Sequence, residues 1–87
     1  MVSQLFEEKA KQVNELPTQP AQAEMLELYG LYKQATVGDN TNPSRPGIFA
    51  LKDRAKWDAW EKLKGKPSEE AEKEYIELVD SLIAKYN

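Results

Sequence analysis

Two phenols and an ammonium group stand within five residues of one another in the segment ELYGLYKQATVGDN, residues 27–40: Tyr29, Tyr32 and Lys33. Positions i, i+3 and i+4 share one side of a helix. Phenol hydroxyls donate directed hydrogen bonds, phenol rings give a base a face to stack on, and lysine brings a mobile point charge. That combination suits a pocket for a phosphate-bearing anion. Two tyrosines packed on a core with their hydroxyls at the surface would show the same spacing. Lys52 and Lys56, one turn apart further along, bear on the choice. Like charges at i and i+4 cost an isolated helix only about a few tenths of a kcal/mol. They fit either a solvated face or, with Lys33 brought near, a phosphate pocket.

Other chemistry is thinly supplied. The chain has no histidine, the commonest neutral-pH base, and no cysteine for a thiolate, a disulfide or a zinc site. Carboxylates and lysines remain, with no pair marked out by spacing. The net charge of −3 is unevenly spread, since residues 43–66 carry +4 and the remainder −7. A local basic patch on an acidic chain suits a compact anion better than a long polyanion, so nucleic acid is not the expected partner.

The elements that must position these groups are helices. Eighty-seven residues suffice for one domain, spanning 1–87, with no second core. Ser3 is a suitable N-cap for a first helix carrying Leu5, Phe6, Ala10, Val13 and Leu16, which LPTQP ends at Pro17. Pro20 permits a second start, and the spacing predicts a helix from Ala21 to Val37, stopped by Gly38. GDNTNPSRPG is too rich in glycine, proline and asparagine for regular structure. A third helix is predicted over 51–63. The fourth begins at Ser68 and aligns Ala71, Tyr75, Leu78, Val79, Leu82, Ile83 and Tyr86 on one stripe. No stretch reads as a strand, so the fold class is all-α, a four-helix bundle.

The second helix has an apolar arc wider than the ~100° that a surface helix needs. Leu28, Leu31 and Ala35 form an ordinary core stripe. Met25, Tyr29, Tyr32 and Thr36 form a second, with Leu26 and Lys33 beside it. Another helix or a ligand must cover that second half. Trp57 and Trp60 could line the same groove or belong to the core. No apolar run approaches the ~20 residues of a membrane span, and MVSQLFEEKAK lacks the apolar stretch of a signal peptide. A cytoplasmic protein without stable membrane insertion is expected.

YGLYKQATVGD, RPGIFALKDRAKWDAWEKLKGK and AEKEYIELVDSLIAKY, at 29–39, 45–66 and 71–86, resemble signature segments of the acyl-CoA-binding protein family. The resemblance runs through essentially the whole chain. It implies an up-down-down-up four-helix bundle that binds one long-chain acyl-CoA ester, without catalysis or cofactor, as a carrier and pool former. It also implies a monomer that meets acyl-CoA-using enzymes transiently. By position, Tyr29 and Lys33 match residues that contact the nucleotide phosphates, and Tyr32 matches the aromatic at the adenine. Lys56 and Tyr75 match the 3′-phosphate site, Lys52 an accessory cation, and Met25 a residue of the acyl groove. Asn14 stands where some relatives carry lysine, and the 38–47 loop is slightly longer than the commonest form. From the residues alone, a module docking an acidic peptide, or a carboxylate-driven thioesterase, remains an alternative.

Overall fold

The Ser3 side-chain oxygen accepts the Phe6 amide at 3.2 Å and starts helix α1, Gln4–Asn14, in the computed structural model, which describes residues 2–41 and 44–86. Helix α2, Gln22–Thr36, has alanine at its N-cap position. Glu24 supplies what Ala21 lacks by accepting the Ala21 amide at 2.9 Å. At the far end Gly38 adopts φ +96°, a left-handed turn that costs glycine no Cβ clash, and its amide reaches back to the Lys33 carbonyl. Helices α3, Leu51–Glu61, and α4, Ser68–Tyr86, complete the described elements. Asn42 and Pro43 of the predicted irregular loop lie outside the described residues.

Cross-helix pairs fix the directions. Ser3 meets Glu72 and Lys9 meets Asp80, so α1 and α4 run parallel. Glu24 meets Lys85 and Tyr86 while the Gln34 carbonyl accepts Ser68, so α2 opposes α4. Lys56 lies against Tyr29 and Trp60 against Lys33, so α3 follows α2. The order is up, down, down, up. Helix α4 packs on α1 and α2, and α2 also packs on α3. The backbones of α1 and α2 stand apart.

The core follows from this arrangement. Phe6 and Val13 of α1 meet Leu28, Leu31 and Ala35 of α2 over Ala71, Tyr75, Val79 and Leu82 of α4. All seven residues of the expected α4 stripe are buried or packed against that core. Leu5, expected inward, is 50% exposed. Only α4 packs its backbone closely on α1, and Leu5 stands outside that contact. The predicted third helix ends at Glu61, and Leu63 follows in a turn that folds it against the core.

Helix α3 buries little of its own surface and is held by specific joints. Trp60 donates its indole N–H to the Gly38 carbonyl at 2.8 Å, and Arg45 grips both Asp58 oxygens. Asp39 accepts the Gly65 amide and the Gln34 side chain, each at 2.8 Å. Gly30 allows the closest approach, since a Cβ there would lie 2.6 Å from the Ala59 carbonyl oxygen. Overpacking of this kind costs about 1–3 kcal/mol, against about 1 kcal/mol that alanine gains over glycine in a helix. Gly30→Ala is therefore expected to lower the urea midpoint. A midpoint that rose would show that α3 gives way freely.

Candidate functional site

The gap between α1 and α2 is a trough of about 660 Å³, within the range of small-molecule sites. Ala10 and Val13 of α1 form one wall, and Met25, Leu28, Tyr29 and Tyr32 of α2 the other. Tyr75 of α4 contributes from below, and residues 16–20 close the end opposite Tyr32. The walls are apolar apart from Asn14, Thr18, Gln19 and the phenols. No lining residue bears a charge at neutral pH, so no carboxylate stands in the trough to activate water.

The aromatic end is built from three rings. Phe6 stacks on Tyr32 with centroids 5.5 Å apart and tilts on Tyr75 at 4.6 Å, while Tyr32 meets Tyr75 edge-on at 5.9 Å. Phe6 thereby bridges helices whose backbones do not touch. Burial, with Tyr32 adding to it, pushes the Tyr75 phenol up to about 12. It is thus a neutral hydroxyl at physiological pH. At the other end of α2, Glu24 accepts from the Tyr86 hydroxyl, Lys85 and the Ala21 amide, which hold its carboxyl down at about 2. That permanent carboxylate pins the start of α2 to the end of α4.

The cations lie outside the trough lining, on aromatic rings of α2 and α3. Lys56 holds its ammonium nitrogen 5.5 Å from the centre of the Tyr29 ring, and Lys33 holds its own 5.5 Å from that of Trp60. Both are cation–π contacts that cost little to give up to an anion. Lys52 is exposed one turn before Lys56 and does not line the trough. The seven residues singled out in the sequence therefore divide. Met25, Tyr29, Tyr32 and Tyr75 line the trough, Lys56 and Lys33 lie over aromatic rings, and Lys52 stands further out.

Sequence reasoning missed the α1 wall, the 16–20 end wall and the part played by Phe6. The α1 stripe contained Phe6, Ala10 and Val13, but nothing in its period distinguishes a wall from a core. Pro17 and Pro20 read only as marking the end of one helix and the start of the next. Among the described residues no helix is long and apolar enough to cross a membrane, and no metal-holding cluster of three or more His, Cys, Asp or Glu side chains occurs.

The family model described as acyl-CoA-binding protein matches residues 3–79. "Acyl-CoA-binding protein 2" of Saccharomyces pastorianus is 74% identical over 87 residues, covering 100% of this chain and 99% of that one. The solution structure of the acyl-coenzyme-A-binding protein from yeast is 74% identical with TM-score 0.76, covering 98% of each chain. The crystal structure of the Oryza sativa acyl-CoA-binding protein 2 is 52% identical with TM-score 0.88, covering 93% of this chain and 87% of that one.

Proposed function

The chain belongs to the acyl-CoA-binding protein family, and from that premise we propose that it holds one long-chain acyl-CoA ester in the trough between α1 and α2. The observation that carries this reading is the change in character along one cavity. It runs from an uncharged apolar channel to a cluster of phenols, with the Lys56 ammonium over the ring of one of them, Tyr29.

The acyl tail lies along Met25 and the apolar walls. Tyr29, Tyr32 and Tyr75 receive the nucleotide, the rings by stacking and the hydroxyls by donating to phosphate oxygens. Lys33 and Lys56 swing from their rings to the phosphates, Lys56 to the 3′-phosphate beside Tyr75, and Lys52 adds an outer positive charge. Residues 1–87 act as a single binding domain. The protein is a carrier and pool former and not an enzyme: it withholds a detergent-like ester from solution and releases it unchanged. We place this work in the cytoplasm, done by a monomer that meets acyl-CoA-using enzymes transiently.

The head-group assignment is tested by titrating wild type and Lys56→Ala with palmitoyl-CoA and its 3′-dephospho analogue. Exposed ion pairs are worth about 0–1 kcal/mol, so Lys56→Ala is expected to weaken palmitoyl-CoA up to about fivefold. The dephospho analogue should bind both proteins alike. Equal affinity of the two proteins for palmitoyl-CoA would remove Lys56 from the site.

A further inference from the structure

The chain carries two sulfur atoms, the thioethers of Met1 and Met25, and no thiol. The fold places Met25 in the wall of the trough and leaves it 37% exposed. Leu28 and Tyr75 of the same lining are 6% and 4% exposed, so Met25 is open to small solutes where they are not. Its amide bonds the Ala21 carbonyl in the first turn of α2, beside the end wall of residues 16–20. Tyr32 follows seven residues later on that helix, about 10 Å along the axis. The sulfur therefore belongs to the tail half of the trough and stands away from the aromatic end.

A reachable thioether reacts with peroxides. A sulfur lone pair attacks one peroxide oxygen, the O–O bond breaks and an S–O bond forms, and the other oxygen leaves as water once it has taken up a proton. Sulfur is oxidised and the peroxide reduced, and a flexible apolar side chain becomes a polar one. In the empty trough the S=O group faces water at little cost. Beneath an acyl tail it must give up that water, and burying an unpaired polar group is unfavourable. The converse also holds, because a tail lying on Met25 keeps the peroxide from the sulfur.

We propose that Met25 is a redox modification site: a peroxide converts its thioether to the sulfoxide in the empty protein, and the sulfoxide weakens the hold on the acyl tail. Peroxide then disables the empty carrier and spares the loaded one, and reduction of the sulfoxide restores it. The effect on binding rests on the acyl-CoA reading above. The oxidation itself does not, because the ligand-free chain exposes the same side chain.

The test treats the full chain with hydrogen peroxide, alone and with palmitoyl-CoA or acetyl-CoA, and removes the peroxide with catalase. Trypsin cleaves after Lys11 and Lys33, so mass spectrometry of the 12–33 peptide reads Met25 apart from Met1. That peptide is expected to gain one oxygen in the empty protein, severalfold more slowly with palmitoyl-CoA and at an unchanged rate with acetyl-CoA. The oxidised protein should bind palmitoyl-CoA about tenfold more weakly than untreated protein. It should bind acetyl-CoA, which brings the head group without a long tail, as before. The two methionine sulfoxide reductases, one for each epimer, should restore palmitoyl-CoA affinity. Met25→Leu, whatever its own affinity, should bind palmitoyl-CoA equally before and after peroxide. A Met25 that resists peroxide in the empty chain, or reacts as fast beneath palmitoyl-CoA, overturns the proposal. So does an oxidised protein that binds palmitoyl-CoA like the untreated one, or a loss that persists in Met25→Leu or after the reductases. An equal loss for acetyl-CoA would mean general damage to the fold and also overturn it. Untreated protein that bound no palmitoyl-CoA would fell the acyl-CoA reading and the binding half of the proposal, and leave the oxidation of Met25 in the empty chain standing.

Discussion

Calorimetric titration with a series of acyl-CoA esters is expected to show affinity climbing steeply from short to long chains, then levelling once the trough is full. Each methylene moved from water into apolar surroundings is worth about 0.8 kcal/mol. Twelve of them offer about 10 kcal/mol before the costs of ordering the ligand are subtracted. Lys33 and Lys56 supply about 0–1 kcal/mol apiece. The tail therefore dominates affinity, and the head group decides which lipid is accepted. Palmitate, which brings the tail without phosphates or adenine, should bind poorly by comparison. The heat capacity change should grow more negative with chain length while the hydrocarbon is being buried, and stop where affinity stops. The uncharged walls running from Tyr32 to residues 16–20 are what make this possible, because the tail strips water from no charged side chain. An affinity indifferent to chain length would mean that the tail stays in water, and the trough would then need another occupant.

How much of this was legible beforehand depends on how local each cause is. Helix α4 faces two neighbours, so its stripe is broad and its period plain in the sequence. The doubled arc of α2 was equally readable, and the structure explains it. Leu28, Leu31 and Ala35 enter the core, whereas Met25, Tyr29 and Tyr32 line the trough. Phe6 of α1 and Lys56 of α3 cover only parts of that second half, and the sequence alone left open whether a helix or a ligand covers the rest. Helix α3 has no such period. Its position is set by Gly30 against Ala59, Trp60 on Gly38, and Arg45 on Asp58, which are point contacts between distant residues. The Glu24–Tyr86 joint is further still from any local pattern. Leu5 shows the converse error. Its spacing is right for a core position, but no helix stands on its side of α1.

The largest loss of stability is expected from Phe6→Ala. Phe6 is 1% exposed and is the side chain that joins α1 to both tyrosines of the aromatic end. Truncating a fully buried phenylalanine costs about 3–5 kcal/mol in lost transfer energy and residual cavity. A domain of this size has about 5–15 kcal/mol in all, so the urea midpoint should fall by about a fifth or more. Phe6→Leu should lose far less, because it refills most of the volume. The void would also open beneath Tyr32 and Tyr75, and this gives a second, independent readout. The folded Tyr75 phenol sits at about 12, above its unfolded value of about 10, because burial disfavours the phenolate. The native state thus holds its proton where the unfolded chain releases it. Its contribution is complete below about pH 10 and is lost as the pH rises from there to about 12. Wild type should show that alkaline decline together with a late phenolate absorbance. In Phe6→Ala water reaches the Tyr75 ring, so both should shift toward ordinary tyrosine behaviour. If Phe6→Ala cost under about 1 kcal/mol and left the alkaline titration unchanged, the burial of Tyr75 would not depend on Phe6, and the aromatic end would have to be held by α4 alone.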